Sequence, residues 1–412
     1  MSIDDTATST VPPDDAHPEP PPPVAAGKPW RWVVGGVFAS LLVASLLFLF
    51  FARASVVGVD DYILAPGTAS NTTPTISVSG AEYFEPEGEI AFTTVSIRRN
   101  ITVWEWFMSR FDDSSELIPA ELVDGTRTVE ETREVTQFQM DVSQDTATLV
   151  ALDYLGYDVV PEVEGAFVVQ LVRDSPAEEL LQLGDLITEV NGESIRSSED
   201  LGEAIRSLEP GDTVAISLMR GNEDAGGDGS DPDAVPVDVD IILAEHPDIP
   251  GSGFLGVRIE TPVRADAPFD VTFDVGRVRG PSAGLAFSLA IVDVLTEGEL
   301  TGGLRVATTG TIDAGGVVGP VGAVPQKVAA ARREGIDMFL VPPSEYADAI
   351  TAAGGDIEVR CVQTFDDAVL ELAAAGGNGV EVAVARGATL PEASPSPIDP
   401  DDGFLSCAEV VS

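Results

Sequence analysis

The sequence predicts a mixed α/β protein of several domains. It combines an α+β domain, a smaller β-sandwich or barrel-like domain with two helices, and one N-terminal membrane-spanning helix. Three observations carry this. Residues 33–51 form nineteen consecutive positions without a charge. Between 60 and 245, short β-branched runs are punctuated by Gly and Pro. From 280 to about 375, glycine-bounded strands alternate with apolar helical segments. The chain has 412 residues, 44% of them apolar, enough for two or three cores.

Residues 1–29 hold Asp4, Asp5, Asp14, Asp15 and Glu19 beside a run of four prolines from Pro20 to Pro23. Such a composition cannot offset its ordering entropy and predicts a disordered tail. Trp30-Arg31-Trp32 then leads into the apolar run. Nineteen helical residues span roughly 28 Å, close to a bilayer's hydrocarbon thickness. The rival readings are a buried helix and a cleaved signal peptide, since Ala52-Arg53-Ala54 resembles an A-x-A processing site. The run exceeds a usual signal core, which favours an uncleaved anchor over residues 30–53. Lys28 and Arg31 precede it and Arg53 follows, so the positive-inside bias places the N-terminus in the cytoplasm and the bulk outside.

Residues 54–146 read as a β-rich region, with strand-like runs at 75–78 and 90–97 and a helix near 103–111. Residues 88–97 are a candidate strand of the later α+β domain, which would make the domain between them an insertion. The sequons Asn71-Thr72-Thr73 and Asn100-Ile101-Thr102 are too common a pattern to weigh. Residues 147–245 read as the smaller β domain. Leu155-Gly156-Tyr157 precedes a strand at 165–172, followed by Ser175-Pro176-Ala177, Gly184-Asp185-Leu186-Ile187, Val190-Asn191-Gly192, a helix over 198–207 and a strand at 214–218. The acidic, Gly-rich stretch 222–233 has the carboxylates for calcium but no ligand register with a closing Glu, so a solvated insertion is the better reading.

Composition excludes several functions. There are 69 acidic against 22 basic residues, a net charge of −47 and a pI near 4.1. That field repels phosphate backbones, so nucleic-acid binding is not expected. Two histidines, His17 and His246, and two cysteines, Cys361 and Cys407, give no basis for a metal site, and no cofactor is expected.

The chemistry concentrates after residue 250. Gly280-Pro281-Ser282-Ala283-Gly284 enters an apolar helix, with Pro281 suited to its first position. Ser282 then sits among unsatisfied amides able to hold an oxyanion, and its small neighbours allow a substrate backbone to approach. A serine nucleophile needs a base. His17 and Lys28 fall in the cytoplasmic tail and His246 in a Pro-rich joint, while arginine cannot lose its proton. Lys327 is the one lysine after the apolar run. It sits just inside a helix among Val and Ala, where dipole and desolvation both disfavour the ammonium. Ser282 and Lys327 form a candidate nucleophile–base dyad.

Residues 147–245 closely resemble a bacterial PDZ domain of the type attached to secreted proteases. That resemblance implies that the amides of Leu155, Gly156 and Tyr157 receive a peptide's terminal carboxylate while the peptide adds as a strand. The stretch 280–284, with Leu300-Thr301-Gly302-Gly303, Thr309-Gly310-Thr311-Ile312, Gly316 to Gly322, Lys327 and Phe339-Leu340-Val341-Pro342, resembles the S16 Lon-type proteolytic domain over residues 250–375. Together with the anchor, the chain is similar to the membrane-anchored PDZ–Lon proteases of Gram-positive bacteria. The resemblance implies Ser282 as nucleophile, Lys327 as general base and Thr309 as the group that orients the lysine. It also implies Gly280, Pro281 and Ala283 around the bound substrate, and a homo-oligomer, a hexameric ring by family likeness.

Two departures stand out. Arg279 occupies a position where such proteases usually carry Asp or Gly, and Ala323 replaces a glycine ahead of the lysine. Neither lysine follows G-x-x-x-x-G, so no ATPase is expected. The implied function is an ATP-independent serine endopeptidase at the outer membrane face, its PDZ domain recruiting unfolded, membrane or secreted proteins. The alternatives are a catalytically degenerate PDZ/Lon-like scaffold and, more remotely, an acyltransferase or self-cleaving regulator. Residues 376–412 return to a Pro- and Asp-rich tail. Cys361 and Cys407 either pair or remain two thiols.

Overall fold

The computed structural model describes residues 34–43, 58–112, 114–124, 128–159, 161–163, 165–221, 234–247, 249–265 and 267–385, with single positions 45, 53 and 407. The chain forms two compact units, residues 1–57 and 58–412. In the first, residues 34–43 are an exposed helix, α1. Among the described residues no helix is long and apolar enough to cross a membrane. The expected span over 33–51 lies only partly within them. The N-terminal tail, the acidic stretch 222–233 and most of the C-terminal tail lie outside.

The second unit opens with β1 (Asp61–Asn71), β2 (Ile76–Ser79), β3 (Glu89–Arg98), α2 (Val103–Ser109), β4 (Glu116–Pro119), α3 (Ala120–Asp124), α4 (Val129–Tyr154) and β5 (Pro161–Val163). Its middle holds β6 (Ala166–Leu171), β7 (Leu186–Val190), β8 (Glu193–Ser194), α5 (Ser198–Arg206), β9 (Thr213–Arg220), β10 (Val235–Ile242), β11 (Ala244–Glu245), β12 (Gly253–Phe254), β13 (Val257–Glu260) and β14 (Val263–Ala265). It closes with β15 (Asp270–Phe273), α6 (Gly284–Leu295), β16 (Arg305–Thr308), β17 (Thr311–Ile312), β18 (Val318–Gly319), α7 (Val324–Glu334), β19 (Met338–Val341), α8 (Tyr346–Ala353), β20 (Glu358–Cys361), α9 (Phe365–Ala374) and α10 (Gly379–Ala385).

The larger sheet has the order β20-β19-β16-β3-β1-β4. Its β16, β19 and β20 are parallel, and β16 pairs parallel with β3 through Ala307 opposite Ala91. Strands from the first 120 residues and from the last 110 therefore share one sheet, with the middle segment between them in sequence. All twelve residues of α6 are buried. An apolar circumference of that kind suits a helix covered on every side. It packs between α4 and the sheet, where Phe287 meets Phe92 at 6.0 Å between ring centres. On the other face α7 packs against β1 and α8, with Val328, Ala331 and Phe339 fully buried.

The smaller sheet runs β10-β9-β7-β6-β13, with β8 on β7. Val168, Ile187, Leu201, Ile216 and Leu218 form its core beneath α5. Its fully buried carboxylate Asp185 is gripped by Arg220 through Nε and a terminal nitrogen, both at 2.7 Å.

Two expectations are corrected here. Residues 54–146 are not simply β-rich, because the 26-residue α4 begins at Val129 and runs unbroken across the expected boundary at 146/147. More than one of its faces is engaged: Phe138 stacks on Phe167 of β6 at 3.6 Å, Gln139 donates to Glu260 of β13, and Ala147, Ala151 and Leu152 pack in the core with α6. A helix buried on more than one side shows no clean apolar stripe in its sequence. The smaller sheet also extends past residue 245, since β13 pairs with β6 and then, through β14, the chain pairs with β5. Cys361 and Cys407 form a disulfide with a Cα separation of 5.7 Å, tying the tail to the edge strand β20.

Candidate active site

Ser282 lies in a tight turn held from three directions. Gly280, at φ +91°, donates its amide to the Thr136 carbonyl of α4 at 2.8 Å. The Pro281 carbonyl accepts from the Ser143 hydroxyl at 3.1 Å. The Ser282 carbonyl accepts from the Gly310 amide at 3.1 Å and from the Thr309 hydroxyl at 3.4 Å. Thr136 and Ser143 are seven apart and so lie on one face of α4.

The helix starts later than the sequence predicts. Ala283 is the N-cap and α6 begins at Gly284, so Pro281 sits in the preceding turn rather than at the first helical position. The bonds from Thr136, Ser143 and Gly310 hold residues 280–282 out of the helix. The small residues serve internal packing as well. A Cβ on Gly284 would stand 3.0 Å from Ser143 Oγ and from Ile312 Cγ2, and the Ala283 side chain is buried. Among the described residues the amides of Ser282 and Ala283 have no acceptor, which leaves two donors beside the serine hydroxyl.

Lys327 reaches the same place from the first turn of α7. It is 3% exposed, and its Nζ donates to Thr309 Oγ1 at 2.9 Å. Burial pulls its pKa from 10.5 down to about 8, against a smaller opposing pull from the Glu345 carboxylate. Glu345 is itself raised by burial. Thr309 is fully buried after β16, so one hydroxyl accepts from the lysine and donates to the Ser282 carbonyl. Among the described residues no hydrogen bond joins Ser282 Oγ directly to Lys327 Nζ. The turn that launches α7 is strained: Ala323, its N-cap, has φ +62° and ψ +36°, and its carbonyl accepts from the Lys327 amide.

Ser282, Thr309 and Lys327 are thus brought together, with Gly280, Pro281 and Ala283 around the serine. Leu155, Gly156 and Tyr157 are not placed as a carboxylate cradle. The Leu155 amide donates to Ala151, Gly156 to Asp153 and Tyr157 to Leu152, and Gly156 has φ +76°. These bonds form a Schellman cap ending α4, so the three donors are spent on the helix. Leu155 is packed in the core with α6, and Tyr157 lies edge-on to Phe269. Arg279 folds along the surface onto the Arg277 carbonyl. His246 accepts from the Ile249 amide in a turn of the smaller domain. Sequence reading missed Thr136, Ser143 and Glu345; the i, i+7 pair of small hydroxyl residues on α4 was the available signal.

Comparison with known proteins agrees with this division of the chain. Residues 153–226 match the PDZ domain family, and residues 275–375 match the Lon protease (S16) C-terminal proteolytic domain. The chain is 40% identical over 68 residues to a serine protease HTRA1 of Xenopus tropicalis, covering 16% of this chain and 14% of that one. It is 34% identical over 92 residues to a Lon protease of Campylobacter concisus, covering 21% and 11%. Among solved structures, the PDZ domain of an SdrC-like protein from Listeria monocytogenes is 30% identical, covering 23% of this chain and 87% of that one, with a TM-score of 0.19. The chain therefore spans about a seventh or less of the curated relatives it matches.

Proposed function

We propose, from the premise that this chain joins a PDZ domain to a Lon-type proteolytic domain, that it is an ATP-independent serine endopeptidase. The observation that carries this is the buried Lys327 amine on the Thr309 hydroxyl, which in turn rests on the Ser282 carbonyl. A neutral lysine that donates one N–H to Thr309 keeps its lone pair free to take the Ser282 proton. Ser282 Oγ then attacks the scissile carbonyl, and the developing oxyanion is met by the Ser282 and Ala283 amides. Lys327 returns the proton to the leaving amine, and water releases the acyl group by the reverse steps.

Residues 30–53 anchor the enzyme with the folded unit outside the cell. The Cys361–Cys407 disulfide supports that side, since such bonds persist in oxidising compartments. The PDZ domain recruits unfolded, membrane or secreted proteins. With the amides of residues 155–157 engaged, recruitment proceeds by strand addition at the outer strands β10 or β13.

The test uses the full chain in detergent or nanodiscs, without ATP, on an unfolded protein. Wild type should cleave, and Ser282→Ala and Lys327→Ala should each lose at least about 1,000-fold in turnover while remaining cooperatively folded. Equal cleavage by Ser282→Ala would refute the assignment. Binding without cleavage by all three would place the chain among scaffolds.

A further inference from the structure

Glu345 stands beside the candidate base and has no part in the chemistry above. It closes the short turn after β19 and is the N-cap residue of α8, where a side chain could accept the helix's unpaired amides. Its side chain makes no such bond. It turns instead towards the chain that leads into α7. The Val321 amide donates to its carboxylate, and so does the Ser344 hydroxyl, at 2.7 Å.

Val321 lies two residues before Ala323, the left-handed N-cap of α7, whose carbonyl accepts the Lys327 amide at 3.1 Å. One carboxylate is thereby tied to the turn that delivers the lysine. The same strand end also holds the third member of the site, since the Leu340 carbonyl of β19 accepts the Thr309 amide at 3.1 Å. Val341, Pro342 and Pro343 between these contacts are all buried, and the two prolines stiffen the link.

Charge points the same way. Lys327 is buried near a helix N-terminus, where an ammonium is disfavoured. Among the described residues Glu345 is the one charged group that acts on its amine. Ionisable groups on the elements packed against α7 are engaged elsewhere or exposed. Asp61 and Tyr62 of β1 are bonded to Trp106 and Asp124, and Glu89 and Arg98 of β3 pair with Arg305 and Glu105. Asp348 of α8 is exposed, and Arg332 and Arg333 occupy the last turn of α7 itself. The Glu345 charge matters most when the lysine is protonated. In the proposed mechanism that is the moment after Lys327 takes the Ser282 proton, while the oxyanion forms. A carboxylate already held by the Val321 amide meets that new charge without reorganising.

We propose that Glu345 is the positioning residue of the base: it holds the turn that carries Lys327 and supplies the counter-charge while the amine carries the serine proton. This rests on the reading of Ser282 and Lys327 as nucleophile and base.

The experiment uses the full chain in detergent and separates the two roles. Lys28 and Lys327 are the only lysines, so isotope-labelled lysine Cε gives two NMR signals whose titration needs no catalysis. Ser282→Ala chains are compared with Glu345 intact, with Glu345→Gln and with Glu345→Ala. Glutamine keeps an acceptor for the Val321 amide and removes the charge, whereas alanine removes both. The Lys327 midpoint, about 8 with Glu345 in place, should fall by at least about half a pH unit in both variants. Hydrogen exchange at the Val321 amide should quicken at least about tenfold with alanine and stay near wild type with glutamine. With Ser282 present, glutamine should move the pH–rate profile down by the same amount and lower the plateau about threefold. Alanine should lower turnover at least about tenfold further, with little change in KM. An unmoved Lys327 midpoint in both variants would overturn the counter-charge, and unchanged Val321 exchange with alanine would overturn the positioning. Should the alanine chain not fold, the glutamine midpoint decides. A midpoint that shifts as expected in a chain that never cleaves would overturn the protease reading and the catalytic role of Glu345 with it, while the pairing with Lys327 stands.

Discussion

The Ser143 hydroxyl donates to the Pro281 carbonyl across 3.1 Å, joining a helix that also packs on β6 to the residue before the candidate nucleophile Ser282. Ser143 is 5% exposed, so removing its hydroxyl leaves a carbonyl without its main side-chain donor. We expect Ser143→Ala to cost about 1 kcal/mol in stability. Because small misplacements of a reacting group are expensive, turnover should fall by up to about 100-fold with little change in KM. Steady-state kinetics and thermal unfolding of the same variant check both, and Ser143→Thr should recover part of the rate.

Ala323 sets the direction in which α7 leaves, and it does so from a left-handed backbone that a Cβ disfavours by roughly 1 kcal/mol. Glycine there removes the strain and adds some unfolded-state freedom. Ala323→Gly should therefore stabilise by about 0.5 kcal/mol, and Ala323→Val should destabilise by about 2 kcal/mol. Denaturant midpoints at constant slope would show the two shifts in opposite directions; a loss on going to glycine would contradict the strain argument.

Asp185 is completely buried and its partner Arg220 is mostly so. Deleting the arginine strands a carboxylate that also accepts the Gln182 amide at 2.8 Å. Arg220→Met should cost about 3–5 kcal/mol. The damage should appear first in the PDZ half, read as early loss of amide protection in β6, β7 and β9 before the strands of the large sheet.

How far the sequence carries depends on whether a signal is local. Lys327 was legible because it is the one lysine after the apolar run, and scarcity requires no fold. The motif around Ser282 was legible as a turn into a helix, yet its helical boundary was misplaced because the bonds that hold it come from Thr136, Ser143 and Gly310, 28 to 144 residues away in sequence. Leu155-Gly156-Tyr157 fits both a carboxylate loop and a helix terminus, and only the donors' actual acceptors distinguish them. Helix α4 was missed for a third reason. Its Thr- and Val-rich sequence has weak helix propensity, and tertiary packing on two domains overrides that.

Lys327 gives the most direct test, because in the proposed mechanism its proton controls both rate and stability. The folded pKa of about 8 lies below the ordinary 10.5. Only the neutral amine accepts a proton, so turnover should rise with pH, about tenfold from pH 7 to a plateau above 9. For stability, the unfolded chain holds this proton more tightly than the folded one between about 8 and 10.5. Lysine burial therefore opposes folding most strongly below pH 8, and that penalty fades as pH rises through 8 towards 10.5. The gap of about 2.5 pH units corresponds to about 3 kcal/mol. Lys327→Met keeps the length and removes the charge, while Thr309 retains its bond to the Ser282 carbonyl. It should be inactive yet 2–3 kcal/mol more stable than wild type, by a rough count from the same shift, at pH 7. That advantage should shrink by pH 10. Parallel denaturation of the two proteins at both pH values measures it, and an inactive variant with no gain at pH 7 would mean that the Lys327 pKa is not lowered in the folded state.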